Sequence, residues 1–250
     1  MHPLLDVPDL GPRYERALQS ALAYLFDRFE PVAVVICGSI IRGTPDPASD
    51  LDIFAFHDAP WRQRVQRRFD GVPVELFVNH PDFIAGYFAE ERNRGTPSTA
   101  HMLATGHLAL DRDGLMAGYI EESRQMLVDG PEVDDGRLVL QRYQTAMLFE
   151  DALDVVDRDA DLASMMLHSA VESALRYRFW IAGQWQPRNK DLLAAMATLD
   201  PELEDLARGY FSAATTRQRL ELARAILRRT TGETGAFDWE SPEDHLRESI

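Results

Sequence analysis

The first half of the chain alternates between two patterns of apolar residues. Between Tyr14 and Phe29 the apolar positions lie three and four residues apart, which predicts a helix that Pro31 ends. Short apolar runs rich in β-branched residues predict strands instead. The predicted strands span residues 32–37, 50–56, 72–78 and 107–110, and further helices are predicted at 61–69 and 82–94. This order favours an α/β or α+β domain built on a small mixed sheet.

The second half shows helical patterns and no convincing strand pattern from about Leu115 onward. Residues 130–136, GPEVDDG, are rich in turn formers and charge and predict a linker. Helices are predicted at 138–156, 162–181, 190–199, 201–211 and 215–230. We therefore predict one domain over residues 1–130 and an all-α helical bundle domain over residues 131–250.

The pair Gly38-Ser39 follows the first predicted strand. Glycine lets the backbone turn sharply and lets a ligand approach closely. Amides at a strand-to-helix turn attract phosphate, and the Ser39 hydroxyl adds a donor. Residues 40–43 can begin such a helix. Taken alone, however, a Gly-Ser pair is also typical of an ordinary tight turn.

Asp50 and Asp52 flank Leu51 at the start of the second predicted strand. Residues two apart on a strand point to the same face, so the two carboxylates point together. Two such carboxylates repel one another unless a cation lies between them, and their oxygens suit Mg²⁺. A solvated, charged edge strand is the alternative interpretation.

Glu75 is the single charge in the third predicted strand, VPVELFV. A buried carboxylate must be neutralised, paired or bound to metal. If this strand lies beside the second, then Asp50, Asp52 and Glu75 converge and could hold one or two metal ions. An edge-strand position or a salt bridge for Glu75 remains the alternative.

The combination of Gly-Ser, an Asp-x-Asp strand and a single-carboxylate strand resembles the DNA polymerase beta-type nucleotidyltransferase superfamily. The residues that carry this resemblance are CGSIIRGTPDPASDLDIFAF at 37–56 and VELFV at 74–78. An α/β core followed by a helical bundle is similar to the bacterial antibiotic nucleotidyltransferases, such as the aminoglycoside adenylyltransferases.

This resemblance implies a role for each motif. Gly38 and Ser39 would hold the terminal phosphates of a nucleoside triphosphate, with ATP the first choice. Asp50 and Asp52 would ligate Mg²⁺, and Glu75 would act as general base or complete the metal site.

The same resemblance implies roles for two basic residues. Arg42 would brace the Gly38 turn or contact phosphate, although it could equally be a surface ion-pair partner. Lys190 ends the segment GQWQPRNK at 183–190, which looks like the loop whose lysine meets the nucleotide phosphates. A solvated lysine at a helix start is the alternative.

Composition narrows the partners and the compartment. The formal net charge of −15 disfavours extended nucleic acid and favours cationic small molecules or basic protein patches, and solubility alone explains it equally well. The single Cys37 excludes an intramolecular disulfide and a cysteine zinc site, and its apolar surroundings predict a buried thiol. No apolar run is long enough to span a membrane, and the first residues lack the pattern of a signal peptide, so we expect a cytoplasmic protein. The oligomeric state is left open.

The sequence thus predicts a Mg²⁺-dependent nucleotidyltransferase that moves a nucleoside monophosphate, AMP first, to a hydroxyl of a small molecule. An aminoglycoside-like acceptor would make it an antibiotic-resistance enzyme. Three alternatives stay open: a protein-AMPylating or antitoxin-type nucleotidyltransferase, a nucleotide-binding module without catalysis, and a metal-dependent glycosyltransferase that uses the Asp-x-Asp motif.

Overall fold

The computed structural model of the protein describes residues 5–46, 49–241 and 243. Contacts between Cα atoms divide the chain into two compact units. Unit 1 comprises residues 1–91 and 97–129, and unit 2 comprises residues 92–96 and 130–250. The assignment of separate functions to segments 1–130 and 131–250 stays a prediction. No described helix is both long and apolar enough to cross a membrane.

The described part of unit 1 is built on a mixed five-stranded sheet in the order β3-β4-β2-β1-β5. The strands are β1 Ala33–Cys37, β2 Leu51–Phe56, β3 Gln63–Phe69, β4 Val72–Asn79 and β5 His107–Asp111. β1 is antiparallel to both β2 and β5, β3 is antiparallel to β4, and β2 runs parallel to β4. The predicted fold class, a small mixed sheet followed by a helical region, is confirmed.

Alternation along the strands separates an apolar face from a face that carries charges. Ile53 of β2 and Leu76 of β4 lie in the core that helix α1, Pro12–Phe29, shares with the sheet. Successive side chains on a strand point to opposite faces, so Asp52 and Glu75 lie on the face away from α1. The remaining helices that begin in unit 1 are α2 Ile84–Arg94, α3 Ser98–Thr105 and α4 Leu115–Asp129.

The prediction of a helix over residues 61–69 is wrong, because residues 63–69 form the edge strand β3. Val65 and Phe69 pack against the core on the α1 side, while Arg64 and its neighbours are exposed. The turn to β4 is Asp70-Gly71, and both residues have positive φ angles of 48° and 80°. Asp-Gly with two positive φ angles is typical of a two-residue hairpin turn, so this dipeptide was the overlooked signal.

The described part of unit 2 is helical, as predicted. Its core is formed by buried side chains on all of its long helices, including Phe149, Leu167 and Tyr210. The helix predicted from residue 190 begins instead at Leu192, after a short 3₁₀ turn over Asn189–Asp191. The helices are α5 Asp135–Val155, α6 Ala160–Ile181, α7 Leu192–Leu199, α8 Pro201–Ser212 and α9 Thr216–Thr230.

Asp200 connects three helices of unit 2. Its carboxylate accepts hydrogen bonds from the Leu203 amide at 3.2 Å, from Arg178 Nε at 3.2 Å and from Arg229 Nη2 at 2.7 Å. It thereby caps α8 and binds the arginines of α6 and α9, and only 9% of its side chain is exposed. The hydrogen bond from Arg229, with those from Leu203 and Arg178, lowers the pKa of Asp200 although burial opposes this.

We expect Asp200→Asn to lower the free energy of unfolding by about 1–3 kcal/mol at neutral pH, because asparagine keeps the cap but loses the charge. A lowered pKa stabilises the fold above the unfolded value of about 3.9, and this contribution is lost as the pH falls through the folded pKa. Urea denaturation of both proteins between neutral and acid pH measures the difference.

The matched control is Asp159→Asn, since Asp159 caps α6 through the Leu162 amide from an exposed position. Its effect should stay within about 0.5 kcal/mol because Asn and Asp cap equally well. Equal losses in the two variants would contradict the role assigned to the arginine pairs.

Candidate functional site

The strand order brings Asp52 and Glu75 next to one another. Cys37, the last residue of β1, is the register partner of Asp52 in β2, and Asp52 is the partner of Glu75 in β4. Gln66 of β3 lies opposite Glu75, so the row continues to the sheet edge. Asp50 precedes β2 rather than lying in it, since the strand begins at Leu51.

Gly38 places its backbone directly against the Asp52 carboxylate. Its φ angle is 98°, a conformation that residues with a side chain rarely adopt. A Cβ atom at this position would lie 2.8 Å from Asp52 Oδ2 and 3.7 Å from the backbone oxygen of Asp50. The glycine is therefore required both by its φ angle and by the close approach of Asp52.

After Gly38 the chain forms a turn, and the expectation that residues 40–43 begin a helix is wrong. The Thr44 amide donates to the backbone carbonyl oxygen of Ser39 at 3.0 Å, and the Gly43 amide donates to the backbone carbonyl oxygen of Ile40 at 3.2 Å. These bonds close a wide turn instead of the regular repeat of an α-helix. The turn keeps Gly38 and Ser39 beside the start of β2.

Ser49 is a residue of this region that the sequence analysis missed. Its hydroxyl lies 2.9 Å from the Ser39 hydroxyl and accepts from the Asp46 amide at 2.7 Å. Ser49 is buried and immediately precedes Asp50. It therefore ties the turn after β1 to the segment that carries the aspartates, and its position beside the Asp-x-Asp pattern was the available signal.

The carboxylates create an unfavourable concentration of negative charge. Burial, reinforced by the charges of Asp50 and Glu75, raises the pKa of Asp52 to about 6, while Arg42 and Arg64 act in the opposite direction. Burial and the charge of Asp52 also raise the pKa of the Cys37 thiol, which is fully buried as predicted. Cys37 is thus an uncharged packing residue. The negative charge of the site is therefore carried by the carboxylates.

Glu75 is already paired. Arg64 Nη2 lies 2.5 Å from Glu75 Oε2, and 14% of the Glu75 side chain is exposed. Among the described residues no group of three or more His, Cys, Asp or Glu side chains is arranged to hold a metal ion. The role of Asp50, Asp52 and Glu75 as shared metal ligands therefore stays a prediction, and in this structure Glu75 is paired with Arg64.

Asp50 and Asp52 nevertheless fit a divalent cation. Their mutual repulsion is the charge pattern that a cation relieves. Mg²⁺ commonly takes only one or two carboxylates, and phosphate oxygens and water complete its shell. The two aspartates can therefore hold a cation that a nucleotide also ligates, without a third protein ligand.

Lys190 belongs to unit 2, which is described by itself. It lies in the exposed 3₁₀ turn that precedes α7. Arg188 pairs with Asp191 at 2.6 Å, and Arg176 Nη2 donates to Asn189 Oδ1 at 2.7 Å, so the turn is fixed on both sides of the lysine. Its phosphate-binding role stays a prediction.

The same loop of unit 2 lines a cavity of about 520 Å³. Its lining contains aromatic, aliphatic and neutral polar side chains and no charged ones. These residues are Phe179, Gln184, Trp185, Pro187, Ala195, Thr198 and Leu199.

Comparison with known proteins agrees with the geometry of unit 1. Residues 18–101 match the family model of the nucleotidyltransferase domain, and this range contains Gly38, Ser39, Asp50, Asp52 and Glu75. No curated protein gives a significant match. The fold is similar to that of a nucleotidyltransferase-like protein from Exiguobacterium sibiricum 255-15, with a TM-score of 0.53 and 14% identity over 88% of this chain and 74% of that one. Residues 18–101 are therefore similar to the nucleotidyltransferase domain, the enzyme class that the motifs predicted.

Proposed function

We propose that this protein transfers AMP from ATP to a hydroxyl group of a small-molecule acceptor with the aid of Mg²⁺. Nucleotidyl transfer from a nucleoside triphosphate is the general activity of the matched domain family. The observation that carries the proposal is the contact of the Gly38 turn with Asp52, in the same row as Glu75. This contact supports the proposal because it sets the turn proposed to bind phosphate beside the carboxylates.

The phosphate side of the reaction uses the turn and the two aspartates. The first backbone amides of the turn, those of Ser39 and Ile40, and the Ser39 hydroxyl bind the terminal phosphates. Asp50 and Asp52 would hold the cation, which when bound would offset the phosphate charge and polarise the α-phosphate. Arg42, whose charge already acts on Asp52, adds positive charge to the same turn. A phosphate contact of Lys190 stays a prediction from the resemblance.

The acceptor side uses Glu75. The acceptor oxygen forms a bond to the α-phosphorus, and the bond from that phosphorus to the bridging oxygen of the leaving pyrophosphate breaks. Glu75 accepts the hydroxyl proton, a role that requires its carboxylate to come within hydrogen-bond reach of the acceptor. The reaction thus leaves an AMP ester of the acceptor, pyrophosphate and a proton on Glu75.

The charge of the chain supports a cationic acceptor. A net charge of −15 raises the local concentration of a small polyamine-like or aminoglycoside-like molecule and repels extended nucleic acid. The hydroxyl groups of an aminoglycoside would supply the attacking oxygen.

The test is acceptor-dependent release of pyrophosphate with Mg²⁺ and ATP, CTP, GTP or UTP. We expect ATP to support turnover with a panel of aminoglycosides and less turnover with uncharged polyols, because only the former are attracted by the acidic chain. Mass spectrometry of the acceptor identifies the added nucleoside monophosphate. If the nucleoside monophosphate is found only on protein, the protein-modifying alternative is favoured. Absence of nucleotide binding would refute the proposal.

A further inference from the structure

Arg64 and Glu75 form an asymmetric ion pair. Arg64 Nη2 lies 2.5 Å from Glu75 Oε2, and the Arg64 guanidinium carbon lies 4.8 Å from the centroid of the Phe77 ring. The Arg64 side chain is 65% exposed, whereas that of Glu75 is only 14% exposed. The carboxylate is thus fixed in the site while its cationic partner lies at the solvent edge.

The pairing is a consequence of strand register. In the antiparallel pair of β3 and β4, Gln66 lies opposite Glu75 and Arg64 lies opposite Phe77. Arg64 is therefore a diagonal neighbour of Glu75 on the same face of the sheet, within reach of a long side chain. Phe77 supplies a ring on which the guanidinium rests.

Arg64 offsets part of the charge of the carboxylate site. Glu75 and Asp50 both raise the pKa of Asp52, and Arg64 is one of two arginines that lower it. An ion pair with so exposed an arginine is weak, so a divalent cation can compete with it for Glu75. The contact with Phe77 can keep the released guanidinium nearby.

We propose that Arg64 is a built-in counter-ion of the carboxylate site, which neutralises Glu75 before a divalent cation binds and releases it when the cation arrives. This inference rests on the proposed function, since that function requires a cation at Asp50 and Asp52, and it adds that this cation also attracts the Glu75 carboxylate, the register neighbour of Asp52. Arg64 is a positioning residue that acts through Glu75. Its consequence is weak binding of a metal ion alone, so that the cation binds well only together with the nucleotide phosphates.

The experiment measures the binding of Mn²⁺ alone to the protein without nucleotide, by the electron paramagnetic resonance signal of free Mn²⁺. Arg64→Gln is compared with Arg67→Gln. Arg67 lies on the same edge strand, but its guanidinium rests 4.9 Å from the Tyr24 ring on the α1 side of the sheet. Both variants remove one positive charge from β3, and thermal unfolding verifies that each is folded.

We expect Arg64→Gln to bind Mn²⁺ about 3-fold to 10-fold more tightly than Arg67→Gln, because only the former removes the competitor for Glu75. The additional change Glu75→Gln should abolish this gain. These two results together support the assignment of Arg64 as the counter-ion of Glu75.

Equal affinities of the two variants would mean a general charge effect and would overturn the inference while leaving the proposed function intact. Weaker binding by Arg64→Gln would overturn it as well, since Arg64 would then orient Glu75 toward the cation. Absence of Mn²⁺ binding in every variant would overturn the inference, whereas the proposed cation site, which a nucleotide also ligates, is tested separately by the pyrophosphate assay. A gain in Arg64→Gln without any nucleotide turnover would keep the counter-ion and contradict the proposed activity.

Discussion

Asp52→Asn should reduce acceptor-dependent pyrophosphate release by about 10³-fold or more, with the fold retained. Removing the charge removes a carboxylate proposed to hold the cation, and a group that stabilises transition-state charge contributes several kcal/mol to the rate. Asparagine has nearly the same shape, so the packing beside Gly38 is preserved. Steady-state kinetics at saturating ATP and Mg²⁺ measures the loss.

The stability of Asp52→Asn should not fall with its activity. Burial and the neighbouring carboxylates raise the pKa of Asp52, so its charged form is unfavourable in the folded protein without a cation. We therefore expect the free energy of unfolding of Asp52→Asn, measured without metal, to equal or exceed that of the wild type.

The control is Asp58→Asn, which removes an exposed charge just beyond the other end of β2. Both its activity and its stability should remain close to those of the wild type. Retention of full activity in Asp52→Asn would refute the assigned cation site.

Gly38→Ala should lose activity by about 10²-fold and stability by about 1–3 kcal/mol. Alanine is strained at a φ angle of 98°, and its Cβ would lie 2.8 Å from Asp52 Oδ2. The carboxylate must move to avoid this contact, and a displacement of about 1 Å can cost 10²-fold in rate. Kinetics and urea denaturation of the same preparation measure the two effects.

Gly43→Ala separates these two causes. Gly43 lies in the same turn with a φ angle of 71°, but a Cβ there would meet nothing within 4 Å. This variant should share the cost of backbone strain and keep activity within about 3-fold of the wild type. If both glycine variants lose activity equally, the contact with Asp52 is not the cause.

The two units contribute unequally to these conclusions. The matched family range of residues 18–101 includes the turn, both aspartates and Glu75, whereas Lys190 lies outside it. The activity proposed for the chain therefore depends mainly on unit 1. The next experiments on the identity of the acceptor concern unit 2 and its cavity, which is lined by uncharged side chains.

Most of the secondary structure could be predicted because its signals are local. The spacing of apolar residues in α1 and the β-branched run of β1 depend only on neighbours in the chain. Edge strand β3 was mistaken for a helix because its exposed side reads Arg-Gln-Arg and only Val65 and Phe69 face the core. An edge strand needs apolar residues on only one face. Two apolar residues are too few to distinguish the two-residue repeat of a strand from the 3.6-residue repeat of a helix.

The order of the motifs, the helical second half and the alternation of side chains along the strands of Asp52 and Glu75 follow from local residue patterns. Which strands are neighbours follows only from the folded sheet. The parallel pairing of β2 with β4 sets Asp52 opposite Glu75, and the hairpin of β3 with β4 brings Arg64 to Glu75. These contacts join residues that are distant in the chain, and local propensity carries no information about strand order. Pairing that buries the apolar face fixes the register, and the register decides which charges meet.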